Sequence, residues 1–124
     1  MSLAANAVIA LIALLHVYIL VLEMFLWDKP AGRRAFGMTQ EMATATKTLA
    51  ANQGLYNGFL AAGLFWGLFT AQWNVVVFFL SCVIVASLYG AYSVNKRIFC
   101  VQGVPAIAAL AAVLYVVMMD AISR

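Results

Sequence analysis

The sequence predicts an all-α fold, a polytopic membrane bundle of four helices, and three observations predict it. The first is composition. Of 124 residues, 67% are hydrophobic and only 9% are charged, whereas a soluble domain is about half apolar and about a quarter charged. A chain this short leaves much of its surface outside any core, so the excess apolar surface is expected to face membrane lipid. The second is run length: four segments approach or exceed the roughly 20 residues needed to cross about 30 Å of hydrocarbon. The third is the placement of the cations, which cluster between the apolar runs.

The spans, within a single transmembrane domain over 1–124, are expected at Leu3 to Trp27, Thr48 to Thr70, Val75 to Val94 and Val101 to Ile122. No Lys or Arg precedes the first run, and that run contains His16 and Glu23. It therefore reads as a retained span rather than a cleaved leader. Asp28, Lys29, Pro30 and Gly32 break the first helix. Thr39, followed by Gln40 and Glu41, reads as the start of the next, ahead of its apolar part. Phe36, Met38 and Met42 suggest that this first connection lies against the interface. Trp27, Trp73 and Tyr92 stand at or near span ends, where amphipathic rings prefer the headgroup region. Alternating strand patterns are absent.

Six of the seven Lys and Arg residues lie at 29–47 and 96–97. The positive-inside rule places those connections, the first and third, in the cytoplasm and both termini outside, as expected of a multi-pass protein of the cell inner (plasma) membrane. The same clustering argues against nucleic acid as a partner, despite the net charge of +3, because no extended basic face is formed.

Polar residues inside the spans are the candidate site. His16 and Glu23 are seven residues apart, on one helix face and about 10 Å apart along its axis. Trp27 continues that stripe. Asn52, Gln53, Tyr56 and Asn57 form i,i+4 pairs in the second span, Tyr89 stands near the end of the third, and Gln102 opens the fourth. His16 is expected near mid-membrane, and the others lie toward the cytoplasmic ends. These residues are expected to line a pocket open to that side, with His16 and Glu23 as catalytic proton donor and acceptor. Trp27, Asn52, Gln53, Tyr56, Asn57, Tyr89 and Gln102 are the expected ligand-binding residues.

No metal and no cofactor is expected. One histidine with scattered acids does not make a closed site, and nothing specific supports a haem. Cys82 and Cys100 fall at different depths and form no ligand-spaced motif. Small residues at four-residue spacing, Gly54 with Gly58, Gly63 with Gly67 and Ala86 with Gly90, let helices approach closely. They suit packing within the chain first, and also a homo-oligomer.

The string Asn52-Gln53-Gly54-Leu55-Tyr56-Asn57-Gly58-Phe59-Leu60, after His16-x6-Glu23-Met24 and Trp27, resembles domain of unknown function family 1304. Tyr89-Gly90-Ala91 and Gln102-Gly103-x-Pro105-Ala106 are similar to it as well. The resemblance implies a small bacterial integral membrane protein with four spans, and it implies that the motif residues act as one unit. It implies no reaction.

Three functions are consistent with this pattern. One is binding or conversion of a small lipophilic molecule through the His16/Glu23 pair. Another is a proton-coupled transporter acting as an oligomer, although the outer halves of the spans lack a polar path. The third is a structural or accessory membrane subunit, in which the polar residues only fix helix register.

Overall fold

The computed structural model describes residues 1–124 and is all helical. Its elements are α1 (Leu3–Phe25), α2 (Pro30–Phe36), α3 (Gln40–Phe69), α4 (Trp73–Ser93), a π-helical turn (Phe99–Gly103) and α5 (Val104–Ile122). Three helical segments are long and apolar enough to cross a membrane: Leu3–Phe25, Trp73–Ser93 and Phe99–Ile122. The second expected span lies within α3, whose 30 residues extend about 45 Å. This helix is less apolar than the other three long ones, since it carries Gln40, Glu41, Thr44, Thr46 and Lys47 in its first turns and Asn52, Gln53, Tyr56 and Asn57 farther on.

Each long helix buries one stripe, because a period of 3.6 residues brings i, i+3, i+4 and i+7 to one face. On α1 the stripe runs through Ala5, Ile9, Ile12, Ala13, His16 and Glu23, and on α3 through Ala43, Ala50, Gly54, Asn57, Ala61 and Leu64. On α4 it is Val76, Leu80, Val83 and Ser87, and on α5 Ala106, Ala109 and Val113. Large apolar side chains such as Leu11, Phe59, Trp66, Phe78 and Leu114 remain exposed, which suits helices whose outer faces meet lipid rather than water.

The chain divides into two compact units, 14–61 and 1–13 with 62–124. In the first, Thr39 caps α3, its Oγ1 accepting a hydrogen bond from the Met42 N–H at 3.1 Å, as the sequence predicts. The connection before it is not plain loop. Pro30 opens α2 in the first turn, and Gly37 closes it at φ 64°, in the left-handed region that glycine enters without strain. Gly32 lets α2 press onto the end of α1, since a Cβ there would collide with the Leu26 carbonyl.

In the second unit α4 packs on α5 and on the π-helical turn. Gly103 fits beside Ser87 with no room for a Cβ. The buried Ser87 hydroxyl donates to the Ile84 carbonyl at 2.8 Å. Gly63 lies against the Phe79 ring and Gly67 against Val76. The Gly63/Gly67 spacing is thus used for packing within the chain, whereas in the Ala86/Gly90 pair Ala86 is exposed and only Gly90 meets a neighbour, Ile98.

Candidate functional site

Among the candidate residues, a hydrogen bond between side chains joins Glu23 and Asn57. Two glycines bring them together: Gly54 faces Leu20, Glu23 and Met24 of α1, and Gly58 faces Leu20. With no side chains at these positions the two helices approach closely, as small-residue stripes allow in lipid. Asn57, about one turn after Gly54 and next to Gly58, then reaches across. Its Nδ2 donates to Glu23 Oε1 at 2.6 Å and to the Gln53 carbonyl at 3.3 Å. Glu23 is 6% exposed and Asn57 8%. The carboxyl is therefore held inside protein by a neutral amide. His16 is fully buried two turns earlier on the same face of α1.

A second set of polar contacts fastens the end of α1 to the start of α3. Trp27 Nε1 donates to Thr46 Oγ1 at 2.9 Å, and that hydroxyl donates to the Met42 carbonyl at 2.8 Å. The Trp27 ring also packs on Phe36 with centroids 4.8 Å apart. Lys47 Nζ pairs with Asp28 Oδ2 at 3.1 Å, and this hydrogen-bonded ammonium holds the Asp28 carboxyl below its ordinary value. The four residues Trp27, Asp28, Thr46 and Lys47 fix the register of α1 on α3, and with it the position of Glu23.

Not every candidate residue turns toward Glu23. Asn52, Gln53 and Tyr56 are exposed on α3, with Tyr56 edge-on to Phe59. Tyr89 is 70% exposed on α4. Gln102 is half-buried in the π-helical turn. Tyr89 and Gln102 belong to the other compact unit. No three His, Cys, Asp or Glu side chains gather within metal-binding reach. A shallow surface hollow of about 290 Å³ lies elsewhere, lined by Pro30, Arg33, Arg34, Gly37 and Met38. The sequence reading did not single out this hollow; the signal for it was the pair of adjacent arginines between Pro30 and Gly37.

A family model described as "Protein of unknown function (DUF1304)" matches residues 10–114. The chain belongs to the DUF1304 family. The matched range contains every candidate residue of the site. A relative described as "Uncharacterized protein YpaA", from Lactococcus lactis subsp. lactis (strain IL1403), is 38% identical over 104 residues, covering 81% of this chain and 87% of the relative. No solved structure matches this DUF1304 chain significantly. The comparisons thus agree with the resemblance carried by the Asn52–Leu60 string, and they add a bacterial relative of nearly equal extent.

Proposed function

We propose that this chain is a four-span protein of the bacterial inner membrane that binds a small lipophilic molecule, with Glu23 and His16 giving and taking a proton. The carrying observation is the Glu23 carboxyl, more than nine-tenths buried in a helix apolar enough to span a membrane and bonded by the Asn57 amide. Ionisable groups in such positions are expensive and are associated with ligand and proton pathways. Asn57 is the positioning residue and orients the carboxyl.

The fourth span in this reading is Thr48 to Thr70 of α3, whose polar residues sit in one half of the segment. The cations at 29–47 and 96–97 support a cytoplasmic first and third connection, with both termini outside. On that topology Glu23 and Asn57 lie in the cytoplasmic leaflet, about a turn from the interface.

The test is a ligand screen against the purified full-length protein in detergent, using lipophilic amines and carbonyl compounds and reading thermal stability. A ligand at about 100 times its Kd stabilises the folded protein by about 2.7 kcal/mol. Glu23→Gln preserves an acceptor for Asn57, so the fold is expected to persist while affinity falls at least tenfold. A second reading has the hydrogen bond itself in its favour: Glu23 and Asn57 as a register pin in an accessory subunit. Under that reading Glu23→Gln, which keeps the acceptor, leaves ligand responses unchanged, and Glu23→Ala, which removes it, lowers stability.

A further inference from the structure

We propose that the hollow beside α2 is a binding site for the phosphate of an anionic phospholipid. Its wall contains Arg33 and Arg34, in the last turn of α2. Neither arginine is ion-paired; Asp28 pairs with Lys47 instead. The Arg33 Nε is buried and lacks a hydrogen-bond partner, so a planar donor fork stands partly desolvated at the edge of an open hollow. Guanidinium forks match phosphate oxygens in pairs.

The floor of the site is fixed. Gly32 locks α2 against the Leu26–Trp27 backbone, and the Gly37 Cα faces open space, leaving room beside Met38. Phe36 is 43% exposed and packs on Trp27, whose indole marks the end of a segment able to cross a membrane. An aromatic pair at headgroup depth beside two uncompensated arginines is the arrangement that a basic juxtamembrane pocket presents to anionic lipid. Free inorganic phosphate offers the same oxygens, but it cannot use the flanking apolar surface of Phe36 and Met38. The lipid is therefore the assigned source. This site is separate from Glu23 and does not depend on the lipophilic-ligand reading.

The experiment is native mass spectrometry of the full-length protein released from micelles doped with equal phosphatidylglycerol and phosphatidylcholine, at near-physiological ionic strength. Wild type is expected to retain phosphatidylglycerol at least fivefold over phosphatidylcholine. Arg33→Gln with Arg34→Gln should bring that ratio to about one, with helical content preserved by circular dichroism. Lys96→Gln with Arg97→Gln, which removes the same charge from the other basic connection, should leave the ratio unchanged. Equal losses in both double variants would show general surface attraction and overturn the proposal, as would an unaltered ratio in the Arg33/Arg34 variant. Displacement of phosphatidylglycerol by inorganic phosphate at matched concentration would overturn the lipid assignment. Arg33→Gln alone, which spares most of the packing, should lower the ratio partway. If the double variant fails to fold, an unchanged ratio in this single variant overturns the proposal. Glu23→Gln should retain the lipid preference, so failure of the lipophilic-ligand reading leaves this result distinguishable.

Discussion

Replacing Gly54 by alanine tests whether close approach of α1 and α3 sets the Glu23–Asn57 bond. A Cβ at this position would stand 2.6 Å from Met24 Cγ, 3.0 Å from Glu23 Cβ and 3.3 Å from the Leu20 carbonyl oxygen. The Met24 side chain can rotate away, but Glu23 Cβ and the Leu20 carbonyl move only with the helix. Overpacking of this kind costs about 1–3 kcal/mol, while removing a glycine from a helix interior returns about 0.5–1 kcal/mol. The net expectation is a loss of about 1–2 kcal/mol. Gly58→Ala is the control. Its Cβ would meet Leu20 Cδ1 at 2.6 Å and Leu20 Cγ at 4.0 Å, with nothing else within 4 Å. Leu20 can re-rotamerise, so that variant is expected to be neutral or slightly stabilised. Reversible unfolding in mixed micelles, followed by circular dichroism, ranks the two. Equal stability for both variants would refute the close-approach account.

Three further outcomes follow from the same geometry. Asn57→Ala removes the donor and leaves a buried carboxyl oxygen unsatisfied, which costs about 1–3 kcal/mol; Asn57→Asp is worse, since two acids then face each other, and both are read in the same unfolding assay. The Asp28 carboxyl, held down by Lys47, contributes stability that is present above its ordinary value of 3.8 and disappears as pH falls through its lower folded value. Lys47→Met should shift the Asp28 titration upward, observed by carboxyl NMR. Gly37→Val places a β-branched residue at φ 64° and should cost at least about 1–2 kcal/mol, whereas Gly37→Asn should be tolerated, with α2 protection from hydrogen exchange as the readout.

Much of the helical framework is legible in the sequence because its determinants are local. Thr39 announces the start of α3, and the apolar runs of α1, α4 and α5 stand out by length alone. The helix α2 was hidden because Pro30 and Gly32 read as breakers, although Pro30 stands in its first turn and Gly32 is the residue that lets it press onto the end of α1. The π-helical turn was hidden as well. Within it Gly103 meets Ser87 of another helix, a contact that sequence spacing does not encode. At the candidate site, His16, Glu23 and Asn57 fall on buried stripes as periodicity requires. Asn52, Gln53 and Tyr56 were grouped with Asn57 because i,i+4 pairs overlap on a helical wheel. The faces are separated only by where Gly54 and Gly58 let α1 dock, and this is a tertiary fact. Tyr89 and Gln102 were joined to the group by expected depth, a coordinate that carries no information about neighbours.

The central claim is that Glu23 and His16 give and take a proton when a lipophilic ligand binds, the proton passing between the pair and the solvent. Its most direct test is proton release or uptake by the purified full-length protein in weakly buffered detergent solution, measured on adding a saturating ligand from the screen. The account predicts a change approaching about one proton per chain in wild type, absent in Glu23→Gln even at ligand concentrations that restore binding. An identical proton change in the variant, or ligand binding by wild type with no proton change at neutral pH, would contradict it.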